Sequence, residues 1–152
     1  MTNLVSNSKL HGSNRQALLL IWKVLYKSSG IKHCRTCYDH LAGKIGVLIT
    51  EGFLKQKIIE LDNDQYIVTD QGAQFFWEFG IDVDELKKYR RAFAKPCLDW
   101  SERRHHLAGS LGAAVLEKML LLDYIRKTRN SRVIVVTSKG QQYLYDKLKV
   151  SA

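Results

Sequence analysis

One motif occurs twice in this chain, and its recurrence limits the possible folds. Cys37-Tyr38-Asp39-His40-Leu41-Ala42-Gly43-Lys44-Ile45-Gly46 returns as Cys97-Leu98-Asp99 and then His106-Leu107-Ala108-Gly109-Ser110-Leu111-Gly112. Downstream, Ile67-Val68-Thr69-Asp70-Gln71-Gly72 returns as Val135-Val136-Thr137-Ser138-Lys139-Gly140. His40 and His106 lie 66 positions apart, and Thr69 and Thr137 lie 68 apart. A period of that size is one supersecondary unit used twice.

Each copy predicts a helix, a two-stranded wing and a second helix. In the first, a helix is expected from near Thr36 to Thr50, punctuated by Gly52. Lys57–Leu61 and Gln65–Val68 read as strands around the Asp62-Asn63-Asp64 turn. Thr69 then caps a helix through Phe75, Phe76 and Trp77 to Gly80, and Asp82, with Glu85 as its box partner, opens another reaching about Ala92. Pro96 reads as a break before the second copy. There the plan repeats: a helix from about Glu102 to Leu122, strands at Tyr124–Lys127 and Arg132–Val136, and a helix capped by Thr137. Ahead of both, Ser13 can cap a helix that places Leu18, Ile21, Trp22, Leu25 and Tyr26 on one face and stops at Gly30. The expected fold is α+β and helix-rich, with tandem winged-helix-like modules preceded by one helix. Residues 1–30 form a tail and linking helix, 31–95 the first module and 96–152 the second.

Gly43 and Gly46 share a helical face, as do Gly109 and Gly112. Each glycine costs a helix about 1 kcal/mol relative to alanine, which calls for a packing reason. Either the modules or two protomers press these faces together, or the glycines serve packing within a module.

Charge divides the copies. Residues 31–80 carry seven acids against five bases, whereas 109–152 carry eight bases against three acids, within a net charge of +9. A basic half suits a polyanion, nucleic acid before a membrane surface; a cationic but inert surface is the alternative. No stretch approaches the ~20 apolar residues of a membrane span. No secretory leader is visible, and three cysteines are too few for a disulfide scaffold. The expected compartment is the cytoplasm, with reduced thiols.

The densest set of potential ligands is His33-Cys34-Arg35-Thr36-Cys37-Tyr38-Asp39-His40. Cys34, Cys37 and His40 are spaced to converge at a helix start. Cys97 from the second copy would complete three thiolates and one imidazole, a set for a soft or borderline ion such as zinc, cadmium or lead. The plainer alternative makes Cys37 and Cys97 small buried apolar residues, with Asp39 and Asp99 as caps that also satisfy His40 and His106. In Asp99-Trp100-Ser101-Glu102-Arg103-Arg104, Asp99 reads as an N-cap with Glu102 in its box. Arg103 and Arg104 then fall in a first helical turn, where the helix dipole disfavours cations unless an anion is near. That anion is a neighbouring carboxylate, a DNA phosphate or an acidic ligand. Catalysis is not expected: there is no glycine-rich phosphate loop, nucleophile elbow or His-Glu-x-x-His.

The runs Arg35–Val47 and Cys97–Gly112 resemble the C-terminal region of a long branch of ArsR/SmtB-type bacterial transcriptional regulators, over roughly residues 31 to 148. The resemblance implies a cytoplasmic homodimeric repressor whose affinity for double-stranded DNA changes when a metal ion or other effector binds. It implies effector candidates at Cys37, Asp39, His40, Cys97, Asp99 and His106. Cys34 has no counterpart in the family pattern and stays a candidate on spacing alone. The basic candidates for DNA are Arg103, Arg104, Arg126, Lys127, Arg129 and Arg132. Such regulators carry a DNA-reading winged helix ahead of this region, and no room for one precedes residue 30. The chain is therefore expected to be the effector-sensing and dimerising part of a longer regulator. The rival expectation is a structural dimerisation module with neither ligand nor autonomous DNA binding.

Overall fold

The computed structural model describes residues 15–18 and 30–152. Residues 15–18 are helical (α1); the Ser13 cap and the remainder of the expected 13–30 helix lie outside the described residues. From Gly30 the architecture is a repeated string of hairpin, helix, hairpin, helix. The first copy runs β1 (Arg35–Cys37), β2 (His40–Ala42), α2 (Gly43–Lys55), β3 (Ile59–Asp62), β4 (Gln65–Val68) and α3 (Asp70–Glu78). A single turn, α4 (Val83–Lys87), leads into the second: β5 (Lys95–Leu98), β6 (His105–Ala108), α5 (Gly109–Leu121), β7 (Ile125–Lys127), β8 (Ile134–Val136) and α6 (Ser138–Leu148). All four strand pairs are antiparallel.

The α+β class, the two wings and their following helices match the sequence pattern. Thr69 and Thr137 cap α3 and α6 by accepting from the N–H of Gly72 and Gly140 at 2.9 and 3.0 Å. Asp82 accepts from the N–H of Asp84 and Glu85 at 3.1 and 3.3 Å, but α4 ends at Lys87 and does not reach Ala92.

The first helix of each copy departs from expectation. Residues 35–42 and 95–108 are hairpins, and the helices begin only at Gly43 and Gly109. The reversal in the first hairpin is carried by Tyr38, at φ 55°, and the turn of the second includes Arg103 at φ 57°. Neither residue type signals a left-handed turn, because side chains with a Cβ are disfavoured there. Asp99 is thus a turn residue, not a helix N-cap, and Arg103 and Arg104 are not in a first helical turn. Pro96 lies inside β5 opposite Leu107 and does not break the chain. The glycine pairs serve local packing above all. A Cβ on Gly46 would lie 2.6 Å from Leu41 O, and one on Gly112 2.5 Å from Leu107 O, with His40 Cβ of the other copy 3.2 Å away. Gly43 and Gly109 take φ of +78° and +80°, which lets each helix start at a left-handed residue against the backbone of the segment before its hairpin.

The two copies are locked through their backbones. Lys44 N and Ile45 N donate to Lys32 O and His33 O, and Ser110 N and Leu111 N donate in the same way to Ala92 O and Phe93 O. Across the copies, Tyr66 N in the first wing donates to Ala94 O, just before β5, at 3.1 Å. Ile134 N in the second wing donates to Cys34 O, just before β1, at 3.0 Å. Each wing therefore edges the other copy's hairpin, a reciprocal arrangement with pseudo-two-fold character. One core serves both copies: Ile45, Ile49, Phe53 and Phe76 from the first join Leu107, Leu111, Val115 and Leu144 from the second.

A Cβ on Gly72 would overlap Ile58 O, and one on Gly140 would overlap Tyr124 O. We expect Gly72→Ala and Gly140→Ala each to cost about 1–3 kcal/mol in urea unfolding, the price of overpacking a fixed backbone. Gly30→Ala, with nothing among the described residues within 4 Å of the added carbon, is the control and should change stability by less than about 0.5 kcal/mol.

Candidate metal centre

The hairpins that replace the expected helix starts bring the doubled motif together. Cys37 pairs with His40 across β1–β2, and Cys97 with His106 across β5–β6. Cross-strand partners project to the same face of a hairpin, so each copy presents one thiol and one imidazole. The hairpins face each other, and one ligand atom from each of Cys37, His40, Cys97 and His106 lies within 4.8 Å of the others. These four residues could hold a metal ion. His40 and His106 are buried, and the thiols of Cys37 and Cys97 are partly accessible. Cys34 does not join them: it is wholly buried in the core, and burial pushes its thiol up to about 12. The Cys-x-x-Cys spacing is therefore split between the core and the cluster.

Asp99 organises the second copy's half. Its Oδ2 accepts from Arg35 Nη2 at 3.0 Å and Gly43 N at 2.8 Å, and faces His106 Nδ1 at 3.0 Å. Its Oδ1 accepts from Ser101 N, Ser101 Oγ and Glu102 N at 3.0, 2.7 and 3.0 Å. Burial alone would raise this carboxyl, but the hydrogen bonds from Ser101, Gly43, Glu102 and Arg35 hold it well below the usual carboxylate range. Arg35, itself buried, also donates from Nη1 to Ile31 O and Ser101 Oγ at 2.9 and 3.0 Å, and lies 4.3 Å from the Trp100 ring centre.

Asp39 is the counterpart in the first copy, under different conditions. It faces His40 Nδ1 at 3.4 Å and pairs with Arg91 at 2.6 Å, but its side chain is 45% exposed where that of Asp99 is fully buried. The two rings meet with Nε2 atoms 3.0 Å apart. Burial lowers both imidazoles, His106 to about 4, the facing His40 adding to the effect. Burial and the neighbouring Cys37 thiol raise Cys97. Arg35, Arg91 and Ser101 were not singled out from the sequence; the only hint was that Arg35 and Ser101 adjoin the doubled motifs.

The basic candidates fall elsewhere. Arg103 and Arg104 sit in the β5–β6 turn, Arg104 paired with Glu51 at 2.7 Å and Glu102 at 3.4 Å. Arg126 is held by Asp123 through two 2.7 Å hydrogen bonds. Lys127, Arg129 and Arg132 are exposed on the second wing. A cleft of about 460 Å³ between that wing, α5 and the β1–β2 turn is lined by Lys127 and Arg132 on one side and by Tyr38 and Asp39 on the other. No helix among the described residues is long and apolar enough to cross a membrane.

The chain is 44% identical over 107 residues to an uncharacterized HTH-type transcriptional regulator, YdfF, of Bacillus subtilis (strain 168). The match covers 70% of this chain and 47% of that protein, so the chain spans about half the length of the curated relative it matches. Homology to a helix-turn-helix regulator follows. No protein-family model matches the chain, and no solved structure matches it.

Removing the buried charge should expose the asymmetry between the copies. Asp99→Asn leaves Arg35 without a counter-ion, and breaking a buried pair costs about 3–5 kcal/mol. Asp39→Asn breaks half-exposed pairs worth at most about 1 kcal/mol. Urea unfolding of both variants checks this; equal losses would contradict the assignment.

Proposed function

We propose that this chain is the effector-sensing and dimerising region of an ArsR/SmtB-type transcriptional regulator, with the state of the Cys/His/Asp cluster controlling affinity for double-stranded DNA. The observation that carries this is the identity with an HTH-type regulator over most of the chain. The chemistry of the cluster supports an effector that is a soft or borderline divalent ion, zinc, cadmium or lead, because thiolate and imidazole donors select such ions. The protein acts as a cytoplasmic homodimeric repressor and not as an enzyme. Effector binding shifts a population between two arrangements of the hairpins, and only a difference in affinity between those arrangements changes DNA binding.

A route for that coupling is available. Asp39 touches His40 and lines the cleft whose far side is the basic wing. Within that wing Lys127, Arg129 and Arg132 supply the phosphate contacts, with Arg103 of the β5–β6 turn as a further candidate. Arg104 and Arg126, already paired with carboxylates, contribute less.

A salt-titrated gel shift with a duplex from the chain's own upstream promoter tests this. Retardation should weaken steeply with salt. Replacing Lys127, Arg129 and Arg132 by alanine should lower the slope of log K against log salt by about 2–3. Added zinc or cadmium should change the affinity by about 5–150-fold. Retardation that ignores both metal and the triple substitution would remove this reading.

A further inference from the structure

The donor atoms of the cluster are arranged for a particular mode of coordination. Each imidazole turns its Nδ1 toward a carboxylate, His106 toward Asp99 at 3.0 Å and His40 toward Asp39 at 3.4 Å. A carboxylate only accepts, so the proton of a neutral ring belongs on Nδ1 and the lone pair on Nε2. The two Nε2 atoms then meet lone pair to lone pair at 3.0 Å. Moving one proton to Nε2 relieves that contact only by turning an Nδ1 lone pair against a carboxylate. Without a further proton or a metal ion, one contact between two acceptors persists at the two buried rings. A metal ion removes the conflict, since it binds both lone pairs while the carboxylates keep both Nδ1 protons.

The distances fit a small tetrahedral ion. Bonds of about 2.0–2.1 Å to nitrogen and 2.3 Å to sulfur put the ligand atoms of such an ion roughly 3.4–3.8 Å apart. The four atoms here already lie within 4.8 Å of one another, so closure needs shifts of an ångström or less. Two thiolates balance the charge of a divalent ion, and hard ions such as magnesium and calcium want oxygen ligands instead. Four protein ligands leave no open position, which is the character of a structural or switching site and not a catalytic one.

We propose that Cys37 Sγ, His40 Nε2, Cys97 Sγ and His106 Nε2 form a closed tetrahedral site for one divalent ion within a single chain, that the ion staples the two repeats together, and that Asp39 and Asp99 are its positioning carboxylates. Each repeat gives one thiolate and one imidazole from a single hairpin. The bound ion therefore ties hairpins that belong to different halves of the chain. Through Asp99 it also reaches Arg35 and Gly43 N, the first residue of α2. This deepens the effector reading above and rests on it only for what the ion regulates; the site itself does not depend on DNA.

Titration of the reduced, chelator-stripped chain with cobalt(II) tests the proposal. One equivalent per chain should produce the visible ligand-field bands of a tetrahedral ion and thiolate-to-cobalt charge transfer, and zinc should displace both. Cys37→Ser and Cys97→Ser should each diminish the charge-transfer band. Asp39→Asn should weaken zinc binding about 10–100-fold with circular dichroism unchanged, because a half-exposed carboxylate can be replaced without unfolding the chain. An octahedral, thiolate-free spectrum, one ion per two chains, no uptake, or Asp39→Asn binding zinc like the parent would each overturn the proposal. Tetrahedral bands with a gel shift indifferent to metal would keep the staple and remove its regulatory role; a metal-dependent shift with octahedral cobalt would do the reverse.

Discussion

The buried Asp99 carboxylate is the interaction on which the rest of this structure depends. A carboxylate stripped of water is tolerated only when its lone pairs are filled, and six donor contacts fill them here. Those donors are drawn from both repeats. Ser101, Glu102 and His106 fix the turn and strand of the second hairpin, while Arg35 and Gly43 belong to the first hairpin and the helix that follows it. One charge therefore sets the relative position of two hairpins and one helix start. Arg35 cannot leave without stranding Asp99, and Asp99 cannot leave without stranding Arg35.

Duplication explains the symmetry, and divergence explains why the two halves of the cluster differ. The backbone bonds that seat α2 and α5, the threonine caps of α3 and α6, and one bond from each wing to the other repeat recur in both copies. The further bond from Thr36 N to Arg132 O has no counterpart, because Pro96 lacks an N–H. At the cluster the match stops. The first hairpin turns at Tyr38 and Asp39, while the second runs through the longer turn Asp99 to Arg104 between Leu98 and its strand partner His105. That longer turn folds over Arg35 and shuts Asp99 away, while Asp39 stays half in water beside Arg91. One imidazole is thus held rigidly and the other sits where changes at the surface can reach it. Only the first copy's side of the cluster, through Asp39, borders the cleft and the basic wing.

Much of this was legible in the sequence, and the failures have a common cause. The repeat, both wings, the threonine caps and the pairing of Cys and His across the copies follow from spacing and turn chemistry. The hairpins at 35–42 and 95–108 do not, because Tyr38 and Arg103 adopt left-handed backbone that glycine or asparagine would have advertised. The helical reading also misjudged Cys34: on a helix it would share a face with Cys37, whereas next to a strand it is turned into the core. Arg35 and Arg91 carry no pattern of their own, and their partners lie far away in sequence. Cys37, His40 and Cys97 still converge, because His40 sits opposite Cys37 on a hairpin as readily as one turn away on a helix. His106 takes the place expected for Cys34, so the set is two thiols and two imidazoles and not three thiols and one imidazole.

Each repeat completes the other, through the shared core, the reciprocal wing contacts and the Asp99 network. Separate expression of residues 30–88 and 89–152, which divides the chain after α4 and leaves β5 whole, followed by thermal unfolding of each and of their equimolar mixture, tests this most directly. Neither piece alone should show a cooperative transition, and one should return on mixing. A piece that unfolds cooperatively by itself, near the midpoint of the whole chain, would contradict it.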